Sequence, residues 1–70
     1  MIKAKNVIIQ HTYEDDLGLK ITIQANKEGY SIIYADCTVD NGGSKSTART
    51  NFINAYKKAT QNLGRLKRIS

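Results

Sequence analysis

The basic residues of the C-terminal part are the first side chains whose types and distribution indicate a chemistry. Residues 41–70 contain seven cations and no acid, whereas residues 1–40 contain four lysines and six acids. The net charge of +5 therefore divides into −2 and +7. A region with one sign of charge attracts polyanions and accelerates their encounter. We expect phosphate groups to be bound by Lys45, Arg49, Lys57, Lys58, Arg65, Lys67 and Arg68.

Aromatic side chains provide a second candidate surface. Tyr30, Ile32 and Tyr34 lie on one side of a predicted strand and are expected to share a sheet face with polar residues of its neighbour. Aromatic rings beside polar and cationic groups can stack on bases or enter a groove of nucleic acid. A monomer seldom exposes such a patch, so a dimer interface is the alternative for the same face. Both interpretations stay open at this point.

His11 and the acids Glu14, Asp15 and Asp16 form the one cluster whose residue types suit metal or acid–base chemistry. Adjacent acids in a turn point in different directions, and metal sites usually gather ligands from several elements. We therefore interpret the cluster as a polar turn and predict no catalytic residue, no metal and no cofactor. Asn41-Gly42-Gly43 lacks the spacing of a phosphate-binding loop and is also interpreted as a turn. The chain is not expected to be an enzyme.

Length and composition favour a single small domain over residues 1–70. Seventy residues with 40% apolar content are enough for one core, at the lower limit of size, so a homodimer is expected. The single cysteine, Cys37, is predicted to face inward as an inert thiol, and it cannot form an internal disulfide. No apolar run reaches the roughly 18 residues of a membrane span. We expect a soluble cytoplasmic protein that does not bind membranes.

Three segments alternate apolar and polar residues as half-buried strands do, at about residues 5–13, 18–26 and 30–39. The alternation is clearest in the second segment, where Leu19, Ile21 and Ile23 share one side. This segment is predicted to be the central strand, with one buried and one solvated face. A tight turn at residues 26–29 separates it from the third strand.

One helix is predicted over about residues 44–63. Apolar residues recur in steps of three and four, at Ala48, Phe52, Ala55, Tyr56, Ala59 and Leu63. Ser44 or Ser46 is expected to cap its start, and Gly64 suits the left-handed residue that follows a helix end. The basic tail at residues 65–70 shows no regular pattern, although Leu66 continues the stripe and leaves a longer helix open.

The expected fold is α+β, in the order β-β-β-α. Three antiparallel strands form a meander in the order 1-2-3, and the C-terminal helix covers one face. The second face of the third strand then remains uncovered in so short a chain. The predicted core contains Val7, Ile9, Leu19, Ile21, Ile23, Ile33, Ala35, Cys37, Ala48, Phe52, Tyr56, Ala59 and Leu63.

Within this arrangement, residues 19–60 resemble the second half of a double-stranded-RNA-binding domain. In that family a glycine-containing turn leads into a helix whose basic start contacts phosphates. Gly43-Ser44-Lys45-Ser46-Thr47-Ala48-Arg49 matches the motif at Lys45, Ala48 and Arg49. The resemblance implies a phosphate site at the helix N-terminus. The family's first helix has no counterpart, and Glu14-Asp15-Asp16 replaces a loop that approaches RNA, so binding across two minor grooves is not implied.

The sequence therefore favours a small non-enzymatic nucleic-acid-binding protein, for DNA or RNA, that uses the basic helix and tail. Tyr30 and Tyr34 are its possible base contacts. The alternative is an adaptor or inhibitor of the kind that phage or mobile-element genomes encode. It would bind an acidic host protein through the face of Tyr30, Ile32 and Tyr34 or through an open strand edge.

Overall fold

A computed structural model describes residues 7–70 and shows one antiparallel sheet covered by one helix. The elements are β1 (Ile9–Glu14), β2 (Lys20–Asn26), β3 (Gly29–Tyr34), β4 (Cys37–Gly42), α1 (Ala48–Leu63) and β5 (Lys67–Arg68). The strand order is β4-β3-β2-β1-β5, and α1 packs mainly on β2 and β3. The predicted α+β class with a C-terminal helix is confirmed. The sheet is larger than the predicted three-stranded meander, because it contains β4 and the short β5.

The predicted third strand, residues 30–39, is in fact the hairpin of β3 and β4. Ala35 and Asp36 form the turn between them, with φ angles of 50° and 67°. Two successive residues with positive φ are typical of a tight hairpin turn, which usually contains Asn-Gly or Asp-Gly. An Ala-Asp turn has no such signal, so residues 30–39 resemble one continuous strand in the sequence.

The prediction of which side of β3 faces the helix was wrong. Ile23 lies opposite Ile32, and Ala25 lies opposite Tyr30, in the β2–β3 pairing. Residues directly opposite each other share a face of the sheet, so Tyr30 and Ile32 lie under α1 together with the apolar side of β2. Their exposed fractions are 6% and 3%. Ile33 instead points to the face that α1 leaves open.

The buried core agrees with the prediction on β2 and α1 and differs on the other strands. It consists of Tyr13, Ile21, Ile23, Ala25, Tyr30, Ile32, Ala55 and Ala59, with Tyr34, Phe52, Tyr56, Leu63 and Leu66 packed against it and half-buried. Three residues predicted to be buried are exposed: Leu19, Ala35 and Cys37. Val7 and Ile9 are half-buried, and residues 5 and 6 of the predicted first strand lie outside the described residues.

Helix α1 starts later than predicted and ends where expected. Thr47 is the N-cap, and its hydroxyl oxygen accepts a hydrogen bond of 3.1 Å from the backbone N–H of Thr50. Ser44 and Ser46, the predicted caps, lie in the loop that precedes the helix. Gly64 follows the last helical residue with a φ of 78°, a left-handed angle that glycine adopts without steric cost.

The segment after α1 was wrongly predicted to lack regular structure. Lys67 and Arg68 form β5, which pairs antiparallel with β1 and extends the sheet at that edge. Leu66 does not continue the helix, because α1 ends at Leu63 and Gly64 has a positive φ. Its side chain packs against the core instead.

Candidate functional site

The seven predicted phosphate-binding cations occupy several sides of the molecule. Lys58 points toward β4, where its Nζ lies 2.9 Å from a carboxylate oxygen of Asp40. The ammonium group of Lys58 lowers the pKa of Asp40, and the carboxylate of Asp40 raises the pKa of Lys58. The charge of Lys58 is therefore paired with that of Asp40 within the fold. This ion pair is the one salt bridge found within residues 7–70.

The two cations of β5 point to opposite faces of the sheet. Arg68 lies opposite Tyr13, whereas Lys67 lies opposite Glu14. Since Tyr13 belongs to the core beneath α1, Arg68 shares the helix side. Lys67 shares the other side with Glu14. Arg68 is close enough to Tyr13 that its charge opposes the rise in the tyrosine pKa that burial and Tyr56 cause.

A row of side chains along α1 faces the same region as Arg68. Arg49, Ile53 and Lys57 are spaced four residues apart, so they lie along one side of the helix. All three are exposed, Ile53 by 43%. Ile53 and Lys57 line a groove to which Arg68 also contributes. The structure therefore brings cations of the helix and of the tail together at this place.

The groove between α1 and the β1–β5 edge has an apolar floor and basic rims. Its volume is about 530 Å³. We call it the cationic groove; it is lined by Tyr13, Phe52, Ile53, Tyr56, Lys57, Leu66 and Arg68. No acid of the described residues is among them. Lys57 borders the groove from the helix and Arg68 borders it from β5, so an anion placed at its mouth meets a cation on either side.

Aromatic contacts fix the rings that form the floor. The rings of Tyr13 and Tyr56 have centroids 5.3 Å apart at an interplanar angle of 51°. Phe52 meets the imidazole of His11 edge to face, with centroids 5.4 Å apart. Such arrangements are favourable for aromatic pairs and restrict ring motion. Phe52 and Tyr56 remain half-exposed toward the groove.

Lys45 and Arg65 are exposed and lie outside the lining of the groove. Lys45 belongs to the loop before α1. The neighbouring Ser46 donates its backbone N–H to the carbonyl oxygen of Lys27 at 2.9 Å, which attaches this loop to the β2–β3 turn. Arg65 lies in the short link between the helix end and Leu66. The structure thus does not gather the seven cations into one site.

The predicted base contacts do not lie on an exposed face of the sheet: Tyr30 is buried and Tyr34 is half-buried. The Tyr30 hydroxyl donates to Asp40 at 3.3 Å, and the Tyr34 hydroxyl donates to Asp15 at 2.7 Å. The bond between Tyr34 and Asp15 raises the pKa of the tyrosine and lowers that of the carboxylate. Both rings lie on the helix side of β3. The face of Tyr30, Ile32 and Tyr34 is therefore the one that α1 covers, with Tyr30 and Ile32 buried and Tyr34 half-buried.

The open face of the sheet carries polar pairs across β1 and β2, with Ile33 and Ile69 beside them. Gln24 donates an amide N–H to the Gln10 side-chain oxygen at 2.9 Å, and the hydroxyls of Thr12 and Thr22 lie 3.3 Å apart. These cross-strand pairs continue with Ile33, which lies opposite Thr22. The sequence predicted that Tyr30, Ile32 and Tyr34 would lie on this open face, and they lie on the helix side instead.

The acidic turn has a structural role through Asp15. One carboxylate oxygen of Asp15 accepts the backbone N–H groups of Leu17 and Leu19, each at 2.9 Å, and the other accepts the Tyr34 hydroxyl. These bonds hold the β1–β2 turn against the end of β3. Across residues 7–70, no three His, Cys, Asp or Glu side chains come together as metal ligands.

The sequence did not predict the cationic groove, although it contained several of its parts. Phe52 and Tyr56 belong to the predicted apolar stripe of the helix, and Lys57 and Arg68 are among the predicted phosphate-binding cations. Leu66 and Arg68 could not be placed there, because a strand of two residues has no detectable alternation. No pattern in the sequence indicates the pairing of β5 with β1; Leu66 and Arg68 share a side because they lie two residues apart in this extended segment.

No protein-family model, no curated protein and no solved structure matches the chain. In the part of the chain that the structure describes, no helix is long and apolar enough to cross a lipid bilayer. The function is therefore inferred from the arrangement of the residues themselves.

Proposed function

We propose that the chain is a small, non-enzymatic nucleic-acid-binding protein. The observation that supports this most is the acid-free lining of the cationic groove, which Lys57 and Arg68 border, with Arg49 in the same row of α1 as Lys57. The only acid that forms a salt bridge in the described residues is Asp40, and it neutralises Lys58. Arg49, Lys57 and Arg68 form no salt bridge within the described residues, so their charge is available to a partner.

The chemistry of these cations suits phosphate groups. A guanidinium group can donate two parallel hydrogen bonds to phosphate oxygens, and a lysine ammonium supplies a compact charge. Binding through such contacts releases counterions, so affinity should fall steeply as salt increases. The resemblance to a double-stranded-RNA-binding domain adds Lys45 as a phosphate contact near the start of α1, beside Arg49.

A matched pair of triple variants tests the proposal. Arg49→Gln, Lys57→Gln and Arg68→Gln remove three charges from the groove side. Lys20→Gln, Lys27→Gln and Lys67→Gln remove three charges elsewhere, so both proteins have the same net charge.

Fluorescence anisotropy with labelled DNA and RNA should show micromolar or tighter binding at low salt. The first variant should lose affinity by about tenfold or more, since it lacks the phosphate contacts. The second should bind nearly as the parent does, and circular dichroism verifies that both are folded. The absence of binding at low salt, or an equal loss in the two variants, would refute the proposal.

A protein-binding adaptor is the second candidate, and the open edge of β4 favours it. Strand β4 pairs with β3 on one side only, and Cys37, Thr38 and Val39 are exposed along it. An exposed strand edge can add a strand from another chain. Val39→Lys should abolish binding of a protein partner at this edge and leave nucleic-acid binding unchanged.

A further inference from the structure

We propose that the ligand of the cationic groove is a single strand of nucleic acid, one of whose bases enters the groove while its phosphates contact Lys57 and Arg68. The inference rests on the proposed function and specifies its ligand. It derives from the combination of an apolar aromatic floor with cations on both rims, which phosphate binding alone does not need.

The floor is suited to an unpaired base. Its volume of about 530 Å³ lies within the range of sites that hold small organic groups. Phe52 and Tyr56 present half-exposed rings to it, and bases stack on such rings with little dependence on sequence. In a duplex the bases are stacked and paired inside the helix. A single strand can turn a base outward into the groove.

The rims are suited to the flanking phosphates. Lys57 lies on α1 and Arg68 on β5, so the base must pass between two cations to reach the floor. Arg49 continues the row of Lys57 along the helix, one turn beyond Ile53. A strand that follows this row would place successive phosphates beside Arg49 and Lys57.

The aromatic floor of the groove is assembled by contacts within the chain itself. The Tyr13–Tyr56 and His11–Phe52 contacts hold the aromatic floor in place before any ligand arrives. A rigid stacking platform avoids the ordering cost that flexible loops incur on binding.

The experiment compares three probes of equal length: a thymidine oligonucleotide, an abasic strand with the same phosphates, and a duplex. The thymidine strand should bind roughly tenfold tighter than the abasic strand, because only it can stack. It should also bind more tightly than the duplex. If the abasic strand or the duplex binds as well as the thymidine strand, the groove proposal is wrong and the proposed function survives. If no probe binds at low salt, both are wrong.

Variants connect this preference to the groove. Ile53→Ser changes an exposed lining residue and should reduce the preference for the thymidine strand over the abasic one without unfolding the protein. Binding should also change the intrinsic tyrosine fluorescence, and Tyr56→Phe should diminish that change while retaining the ring. Tyr34→Phe is the matched control, since Tyr34 lies outside the groove.

Unchanged probe preference in Ile53→Ser, or a fluorescence change that Tyr34→Phe diminishes and Tyr56→Phe does not, would contradict the proposal. Light scattering identifies the competing occupant, a second copy of the chain. A doubled mass that Ile53→Ser returns to the monomer would assign the groove to self-association and overturn the inference.

Discussion

Asn51 is a polar residue in the buried face of α1, and its amide connects three parts of the chain. Its Nδ2 donates to the carbonyl oxygens of Asn26 and Ser44, each at 2.9 Å, and its Oδ1 accepts the Ser44 backbone N–H at 3.3 Å. The side chain is fully buried. It therefore holds the β2–β3 turn and the loop before the helix in place, and it does so with its hydrogen bonds satisfied.

Replacing Asn51 by alanine should lower the free energy of unfolding by about 1–3 kcal/mol, because the buried partners in the turn and loop lose their hydrogen bonds. Urea unfolding followed by circular dichroism measures the change. Asn54→Ala is the control, since Asn54 is exposed on the same helix. If the two variants have equal stability, the amide of Asn51 does not fix the loop.

Gly29 and Gly43 show a second residue-level constraint near this loop. A Cβ on Gly29 would collide with the carbonyl oxygen of Gly42, and one on Gly43 would lie 2.9 Å from Asn51 Oδ1. No residue of the turn at residues 26–29 has a positive φ. Its glycine is required instead by the close approach of the β4 end, while Asn26 Oδ1 accepts the N–H groups of Glu28 and Gly29.

At the scale of elements, the β3–β4 turn is held at positive φ by two residues that do not favour it. Changing Ala35→Asn together with Asp36→Gly should raise the free energy of unfolding by about 1 kcal/mol, since Asn-Gly adopts such a turn readily. Thermal or urea unfolding measures the effect.

Ala35→Val provides the opposite test of that turn, because a β-branched residue is strained at positive φ and should destabilise the protein. If the Asn-Gly substitution lowers the free energy of unfolding, or if Ala35→Val leaves it unchanged, the turn does not need residues that favour a positive φ.

The ion pair between Lys58 and Asp40 joins α1 to β4 and gives stability a dependence on pH. The pKa of Asp40 is lowered from its ordinary 3.8 in the folded state, chiefly by Lys58. The contribution of the ion pair to the free energy of unfolding is therefore complete above pH 3.8. It is lost as the pH falls through the lower pKa that Asp40 has in the folded state. Asp40→Asn should be less stable than the parent at neutral pH.

The difference between Asp40→Asn and the parent should shrink as the pH falls below 3.8 in urea titrations. Lys58→Gln removes the same pair from the other side and should show the same trend. A difference that stays constant down to the most acid condition would exclude Asp40 as its source.

Some elements follow directly from the sequence and others do not. The alternation of Ile21 and Ile23 predicts β2, and the stripe of Ala48, Ala55 and Ala59 predicts the buried side of α1. The side of β3 that faces the helix could also be predicted, because a two-residue turn at Lys27-Glu28 pairs Ala25 with Tyr30. The prediction failed because small side chains were assigned to the helix-covered face.

At the scale of the whole molecule, the sequence predicts the amount of positive charge and not its placement. Placement depends on the phase of α1, which separates the adjacent Lys57 and Lys58, and on β5, which separates Lys67 from Arg68. Neither the ion pair of Lys58 nor the pairing of β5 with β1 leaves a pattern in neighbouring residues. Most of the candidate site was therefore not predictable from the sequence, although most of its residues were individually noted.

The adjacent Lys57 and Lys58 permit a sharp test of this charge placement. In Lys57→Gln, the slope of log affinity against log salt should decrease in magnitude by about 0.7–0.9, the effect of one lost phosphate contact. Lys58→Gln should leave the slope close to that of the parent, because Asp40 already neutralises this lysine. Anisotropy titrations over a series of salt concentrations measure both slopes. Equal slopes in the two variants would show that the ion pair with Asp40 does not keep Lys58 from contacting phosphate.

The attachment of the final residues to β1 also determines how the molecule opens. The N–H groups of Ile69 and Ser70 donate to the Thr12 carbonyl oxygen at 2.9 and 3.2 Å. Because β5 is so short, it can separate from β1 while the other strands and the helix stay folded. Such partial opening requires less free energy than global unfolding. The amide protons of Ile69 and Ser70 should therefore exchange with deuterium long before that of Ile23. A single strand of nucleic acid bound in the groove should selectively slow the exchange of Ile69 and Ser70.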